Sequence, residues 1–158
     1  MVITEKTPYL IFAIDDKKLA IELRLVEQVY SAVEVTPLDG APDTVLGLLN
    51  VHGTIIVVLN IRKKLALRQR SIELSDQIII INIEERQLAL LVDEVVEVRH
   101  AAADHVTAWK ANTDAQTFDE SRTPKSENDS IDLCELEHFL SPEDEKKLTT
   151  ALQLAYSH

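Results

Sequence analysis

The chain has 158 residues, enough for one domain with its own hydrophobic core, and it carries a formal net charge of −11. Because nucleic acids and anionic membranes attract clustered lysine and arginine, this charge argues against both as the main partner. A single cysteine, Cys134, excludes an internal disulfide framework and is typical of a protein in a reducing cytosol. Aliphatic runs such as IIVVL are far shorter than the roughly 20 residues of a membrane helix, and the first residues do not resemble a signal peptide. We therefore expect a soluble cytoplasmic protein without direct membrane insertion.

The first predicted element is a β-hairpin. Residues 9–14 and 19–23 are apolar segments that flank the polar tip DDKK, and the second alternates as a strand with one buried face does. Residues 24–30 then predict either a helical turn or a bent strand. A strand at 32–35 and a loop rich in proline and glycine at 37–42 complete this part of the chain.

The next stretch, residues 46–65, reads LGLLNVHGTIIVVLNIRKKL and predicts two apolar strands followed by a short helix. Asn50, His52 and Gly53 interrupt its centre, and all three glycines of the protein lie between positions 40 and 53. Glycine is needed where φ is positive or where another backbone comes close. We therefore predict that Gly47 and Gly53 are structural requirements of a sharp turn between these strands.

Part of the sequence repeats after 69 residues. Residues 14–21 (IDDKKLAI) and 83–90 (IEERQLAL) share the order aliphatic, acid, acid, base, polar, Leu, Ala, aliphatic. Two acid-tipped hairpins can look alike by chance, or the chain can contain a duplicated β-unit. A duplication would create a seam between two units, and seams are common binding sites.

The C-terminal third begins with a change of composition. Residues 111–130 contain almost no aliphatic side chains and predict a long mobile loop. Residues 131–140 regain an apolar pattern typical of a short strand or helix. Ser141 followed by Pro142 and two acids is a helix start, and apolar residues at helical spacing predict a C-terminal helix over 142–156.

No catalytic or metal-binding motif accompanies these elements. The chain lacks G-x-S-x-G, a Walker-type glycine loop and H-E-x-x-H, and His100 and His105 have no neighbours that would complete a metal site. We therefore expect no catalytic residues, no metal, no cofactor and no enzymatic activity. His52 has three interpretations: a polar side chain bonded to backbone at a strand end, a hydrogen-bond donor to a partner protein, or a catalytic or metal-binding side chain.

The segment 46–65 resembles the signature of the CheW-like coupling proteins, which has a Gly-Val-x-Asn-Leu-Arg-Gly core and a strand ending in Pro-Val-x-Asp-Leu-Arg. The matching residues here are Gly47, Asn50, Val51, Gly53, Val58, Ile61 and Arg62. The likeness extends over residues 8–110. The chain departs from the family pattern at four positions. His52 replaces an arginine, Val57 replaces a proline, Asn60 replaces an aspartate and Gln28 replaces a glutamate.

This resemblance implies a mainly β fold of two intertwined small five-stranded β-barrels with short helices, so that residues 1–158 form one domain of two lobes. It also implies a non-enzymatic adaptor that binds the regulatory domain of a CheA-type histidine kinase and the cytoplasmic hairpin tip of chemoreceptors. The positions that resemble the family's partner-binding surface are Val26, Gln28, Val29, Gly47, Asn50, His52, Ile78 and Val98. Two alternatives are a diverged scaffold that serves another kinase pathway, such as surface motility, and a small β-barrel that binds a ligand.

Overall fold

The structure is a computed structural model that describes residues 6–31, 34–114, 131–136 and 139–156. Within these residues, nine strands and three helices are formed. In chain order they are β1 (Thr7–Ile14), β2 (Lys17–Glu22), β3 (Val26–Ser31), β4 (Val45–Val51), β5 (Thr54–Leu59), α1 (Ile61–Lys64), β6 (Gln77–Ile83), β7 (Arg86–Val92), β8 (Glu94–Ala101), α2 (Ala103–Asp114), β9 (Ile131–Leu133) and α3 (Pro142–Tyr156). None of the helices in the described ranges is both long and apolar enough to cross a membrane.

The chain divides into two compact units, and each is assembled from two separate segments. The first contains Met1–Leu25 and Asp93–Glu135, and the second contains Val26–Val92 and Leu136–His158. The chain therefore leaves the first unit after β2, builds most of the second unit, and then returns.

The first unit contains a four-stranded sheet in the order β8-β1-β2-β9. β1 pairs antiparallel with β2 and with β8, whereas β9 joins β2 in parallel. The rings of Tyr9 and Trp109 meet edge to face with their centroids 5.3 Å apart, which packs α2 against the sheet. The core on this face consists of Tyr9, Ile11, Ala20, Ala101, Trp109 and Ile131.

The second unit contains a five-stranded sheet in the order β3-β6-β7-β5-β4. Its β6 carries four consecutive isoleucines, Ile78 to Ile81, each at most 2% exposed. Because successive strand residues point to opposite faces, β6 is covered on both sides, which explains its unbroken apolar run. One face of the sheet holds a core of Leu49, Ile56, Val58, Ile78, Ile80 and Ala89.

The C-terminal helix α3 begins with a reciprocal cap. The backbone N–H of Asp144 donates to Ser141 Oγ at 3.1 Å, and the N–H of Ser141 donates to Asp144 Oδ2 at 3.4 Å. Glu145 forms an ion pair with Arg86 of β7 at 2.7 Å, and Leu148 and Ala151 are buried. The apolar face and the cap predicted for this helix are thus both present.

The two segments that echo each other in the sequence form the hairpins β1–β2 and β6–β7, one in each unit. In each sheet the first hairpin strand has an antiparallel outer neighbour, β8 or β3, and the second has a parallel neighbour, β9 or β5. The first turn residues, Asp15 and Glu84, both have a φ of 52°. The echo therefore coincides with a repeated arrangement of four strands.

The expected mainly β architecture with short helices and a C-terminal helix is confirmed. The described residues form a four-stranded and a five-stranded sheet rather than two five-stranded barrels, and the strand pairing among them closes neither sheet. That residues 1–158 form one domain of two lobes remains a prediction.

Three predicted segments are refined or corrected by the structure. Residues 24–30 contain both alternatives, since a 3-10 turn at Leu23–Leu25 leads into β3. The strand predicted at 32–35 is not found at its described residues, 34 and 35; instead, Thr36 forms an isolated antiparallel bridge with Leu48. Pro37 follows at once and has no N–H to extend the pairing.

The predicted loop 111–130 overlaps α2 at residues 111–114, and residues 115–130 lie outside the described residues.

Candidate interaction surface

The turn between β4 and β5 consists of two residues, His52 and Gly53, whose φ angles are 50° and 87°. Positive φ at both positions is the requirement of a type I′ turn, which suits the twist of a two-residue hairpin. Asn50 Oδ1 accepts the N–H of Gly53 at 2.9 Å and so stabilises the turn from the preceding strand. The side chains of Asn50 and His52 remain exposed at the hairpin tip.

Gly47 has a different role, because its environment rather than its φ restricts it. A Cβ atom at this position would collide with the carbonyl of Thr36 and with Val35. Thr36 and Leu48 exchange two backbone hydrogen bonds of 2.9 and 2.7 Å across this contact. Gly47 is buried, so it permits the close approach of residues 34–36 to β4 rather than offering a side chain to a partner.

Asn60 follows β5 and caps the single-turn helix α1. Its Oδ1 accepts the N–H of Lys63 at 3.2 Å, and its own N–H donates to the Thr44 carbonyl at 2.8 Å. An amide oxygen accepts such a bond as a carboxylate oxygen does. The replacement of the family's aspartate by Asn60 therefore retains the local helix start.

The other predicted contact residues fall into different environments. In β3, Gln28 is exposed and Val26 and Val29 are half-buried; the register against β6 shifts between Val26 and Gln28. Ile78 in β6 is fully buried and belongs to the core of the second unit. Val98 lies in β8 of the first unit and is 48% exposed.

A depression of about 90 Å³ is lined by residues of β3 and of the turn end of the β4–β5 hairpin. Of the predicted contact residues it includes only Gln28. Its lining consists of Glu27, Gln28, Tyr30, Val51, Thr54, Ile56, Ile80 and Gln87. No sequence pattern indicated the other lining residues as a group, because they come from all five strands of the sheet, including its two edges β3 and β4.

Glu27 is the acidic side chain of this depression, and its carboxylate is held by two amides. Asn82 Nδ2 donates to Oε1 at 2.8 Å, and Gln87 Nε2 donates to Oε2 at 2.6 Å. These hydrogen bonds lower the pKa of Glu27 below its ordinary value, and the one from Asn82 contributes more than the one from Gln87. The group is therefore ionised at neutral pH, with a fixed orientation.

The remaining reactive groups do not assemble into a site within the described ranges. No three His, Cys, Asp or Glu side chains there come together as metal ligands. Burial raises the pKa of the Cys134 thiol to about 12, and the nearby Glu135 adds to the shift. The thiol is therefore protonated at neutral pH, when a reactive cysteine would be a thiolate.

Comparisons with known proteins show which family this chain belongs to. A model of the CheW-like domain family matches residues 8–118, well over half of the chain. The chain belongs to the CheW-like domain family.

Individual CheW proteins are distant relatives. The chemotaxis protein CheW of Klebsiella aerogenes is 26% identical over 98 residues, which cover 62% of this chain and 59% of that protein. The chemotaxis protein CheW of Treponema pallidum is 26% identical over 91 residues, covering 55% and 54%. This CheW-like chain thus spans just over half the length of the curated relatives that it matches.

A solved structure shows the same fold. The scaffolding protein TtCheW from Thermoanaerobacter tengcongensis matches with a TM-score of 0.58 and 24% identity, over 65% of this chain and 69% of its own. At this identity the likeness establishes a CheW-like fold for the chain, and nothing more.

Proposed function

We propose that this protein is a non-enzymatic scaffold of a chemotaxis-like pathway, which couples receptors to a CheA-type histidine kinase through protein contacts in the cytoplasm. Membership of the CheW-like family over residues 8–118 is the observation that carries the proposal. The relatives above are named as chemotaxis and scaffolding proteins, and the proposal extends those roles to this chain.

The chemistry of the second unit supports a role in binding a protein. Its hairpin tip exposes Asn50 and His52 on a backbone fixed by a hydrogen bond. The exposed Gln28 of β3 lines the depression beside Val51 and Thr54, the residues that flank this tip. A depression of about 90 Å³ is well below the roughly 300 Å³ of a typical small-molecule site, which disfavours the ligand-binding alternative. Val26, Gln28, Val29, Asn50, His52 and Val98 are the residues that we propose as partner contacts.

Calorimetric titration with the two proposed partners tests this function. The kinase regulatory domain and a receptor cytoplasmic hairpin are titrated separately and then together. We expect each to bind and the three proteins to form one complex. A chain that binds neither partner, while its thermal melt shows that it is folded, would contradict the proposal.

A second candidate function is favoured by one residue. His52 occupies the position of the family's arginine, and a neutral imidazole offers one donor where a guanidinium offers five. A diverged scaffold of another kinase pathway, such as surface motility, would bind a kinase regulatory domain without ordinary receptor coupling. Binding of the kinase domain but not of the receptor hairpin would select this candidate.

A further inference from the structure

The described residues that line the depression between β3 and the β4–β5 hairpin include one charged side chain. Of its eight lining residues, Glu27 is the acid, and none is lysine or arginine. We propose that this depression receives one lysine or arginine side chain of the protein's signalling partner, with the Glu27 carboxylate as counter-charge; this rests on the scaffold function proposed above, because it requires a protein partner.

The Glu27 carboxylate is positioned to accept further hydrogen bonds. Each of its oxygens already accepts one bond, from Asn82 and from Gln87. A carboxylate has about four lone-pair positions, so roughly two remain for a ligand. Both present donors are neutral amides, which fix the orientation without cancelling the charge, and a bond to a cationic donor is stronger than one to a neutral donor.

The rest of the lining fits the stem of a basic side chain. Val51, Ile56 and Ile80 contribute apolar groups, along which the methylenes of lysine or arginine can pack while the charged end reaches a polar group. Gln28 and Thr54 add side-chain oxygens that can accept N–H groups from the same cation. An apolar stem and a cationic end are thus matched within one depression.

The volume of the depression suits the end of one side chain better than a whole small-molecule ligand. Its volume of about 90 Å³ is less than the roughly 150 Å³ of an engineered cavity that holds benzene. Only the end of a lysine or arginine side chain has to fit in the depression, because the rest of the partner's residue can lie outside it. A partner protein supplies such a side chain already attached to a larger contact surface.

A small cationic probe tests the depression without any partner protein. N-acetylarginine N-methylamide is titrated at millimolar concentration into the isotope-labelled protein, and the neutral citrulline analogue is the matched control probe. We expect the arginine probe alone to shift the side-chain amide resonances of Asn82 and Gln87. Glu27→Gln should abolish these shifts, whereas Asp39→Asn, an equal charge change in an exposed loop, should leave them. Absent shifts, or equal shifts with both probes, would overturn the inference.

Binding of the partner proteins tests the role of Glu27 in the complex. Loss of a charge-assisted hydrogen bond typically weakens binding by about tenfold or more. We expect that loss for Glu27→Gln with the kinase domain or the receptor hairpin, a smaller loss for Glu27→Asp, and none for Asp39→Asn. Equal binding of wild type and Glu27→Gln would reject the depression as the site of a basic partner side chain, while the proposed scaffold function would stand. If wild type binds neither partner, the scaffold function fails, and the probe titration still decides whether the depression takes a cation.

Discussion

His52 and Gly53 share a backbone conformation that only one of them adopts freely. Both have positive φ, which costs a residue with a Cβ roughly 1–2 kcal/mol and costs glycine little. Histidine is among the side chains found there more often than most. The hydrogen bond from the Gly53 N–H to Asn50 contributes to holding His52 in that conformation.

We expect Gly53→Val to lower the free energy of unfolding by about 1 kcal/mol or more. The φ of Gly53 is 87°, and a Cβ at this position would have no atom within 4 Å, so backbone strain is the cause rather than a collision. Urea unfolding measures the effect, and Gly53→Asn is the control because asparagine tolerates this region. An unchanged midpoint for Gly53→Val would remove the structural role of the glycine.

The substitution His52→Arg separates a partner contact from a role in the fold. If position 52 contacts a partner, arginine should strengthen binding to a standard kinase–receptor pair by about 1–3 kcal/mol through a charge-assisted bond. If it serves only the turn, the melting temperature should fall while affinity stays the same, because arginine is less suited to positive φ. Calorimetric titration and thermal melts of both proteins distinguish the two results.

For single residues, the sequence was informative where a local backbone conformation requires a particular residue type. An amide, then His-Gly between two apolar runs, predicted a sharp turn, and Asn50 and Gly53 are bonded there. Glu27 could not be recognised in this way. Its importance depends on Asn82 and Gln87, which are 55 and 60 residues away and become neighbours only through sheet pairing.

Among the elements, the loop between α1 and β6 contains a bidentate ion pair with a buried carboxylate. Arg70 donates to both carboxylate oxygens of Asp76, at 3.0 and 2.7 Å, and Asp76 also accepts the N–H of Glu73 at 2.8 Å. Asp76 is 2% exposed, while Leu74 between these partners is 97% exposed. The buried carboxylate therefore fixes a loop that itself has little apolar packing.

We predict that Asp76→Ala lowers the free energy of unfolding by about 2–3 kcal/mol. The substitution removes a bidentate ion pair and leaves the Glu73 N–H without its acceptor. Because the Arg70 side chain is 28% exposed, we expect a loss of unfolding free energy at or below the lowest values typical of broken buried ion pairs. Glu73→Gln is the control, since its carboxylate is 65% exposed and 4.0 Å from Arg70, and it should change stability by less than about 0.5 kcal/mol. Similar urea midpoints for the two variants would contradict this account.

The helix α3 allows a test of its reciprocal cap. Ser141→Ala removes the acceptor for the Asp144 N–H and should cost about 1 kcal/mol. Thr149→Ala, an exposed position inside the helix, should be neutral or slightly stabilising because alanine favours helix. Thermal unfolding compares the two, and an equal effect would show that the cap does not limit the stability of α3.

The termini of this helix were predictable because capping is local, whereas the strand expected at 32–35 was not found. Its alternating valines suit a strand, but the only pairing of this stretch in the described residues is the bridge between Thr36 and Leu48. A neighbouring strand decides whether a β-prone segment becomes a strand, and Pro37 ends the pairing.

For the whole molecule, the echo between residues 14–21 and 83–90 corresponds to real architecture. β1–β2 and β6–β7 occupy the same place in their respective sheets, each with an antiparallel neighbour on one side and a parallel neighbour on the other. The sequence predicted the two hairpins, but not the four-strand count of the first sheet, since β9 has only three residues and pairs with a strand more than 100 positions earlier.

The equivalent turns lead to a paired prediction. Asp15 and Glu84 both have a φ of 52°, a conformation that glycine adopts without strain and that aspartate tolerates better than glutamate. We expect Glu84→Gly to raise the free energy of unfolding by up to about 1 kcal/mol and Asp15→Gly to raise it less, partly because the Asp15 N–H is already bonded to Asp93. Urea midpoints measure both, and a destabilising Glu84→Gly would contradict backbone strain at Glu84.

The interleaved connectivity also sets an order for folding during synthesis. All five strands of the second sheet lie between residues 26 and 92, so they can pair as soon as that segment has left the ribosome. The β1–β2 hairpin emerges before these strands, yet its neighbours β8 and β9 are made only after the whole of the other sheet. Pairings so distant in the chain form slowly, because a long loop must close before any contact offsets its entropy. The β1–β2 hairpin therefore completes its sheet after the second sheet has formed, and until then both edges of the hairpin are open to wrong partners.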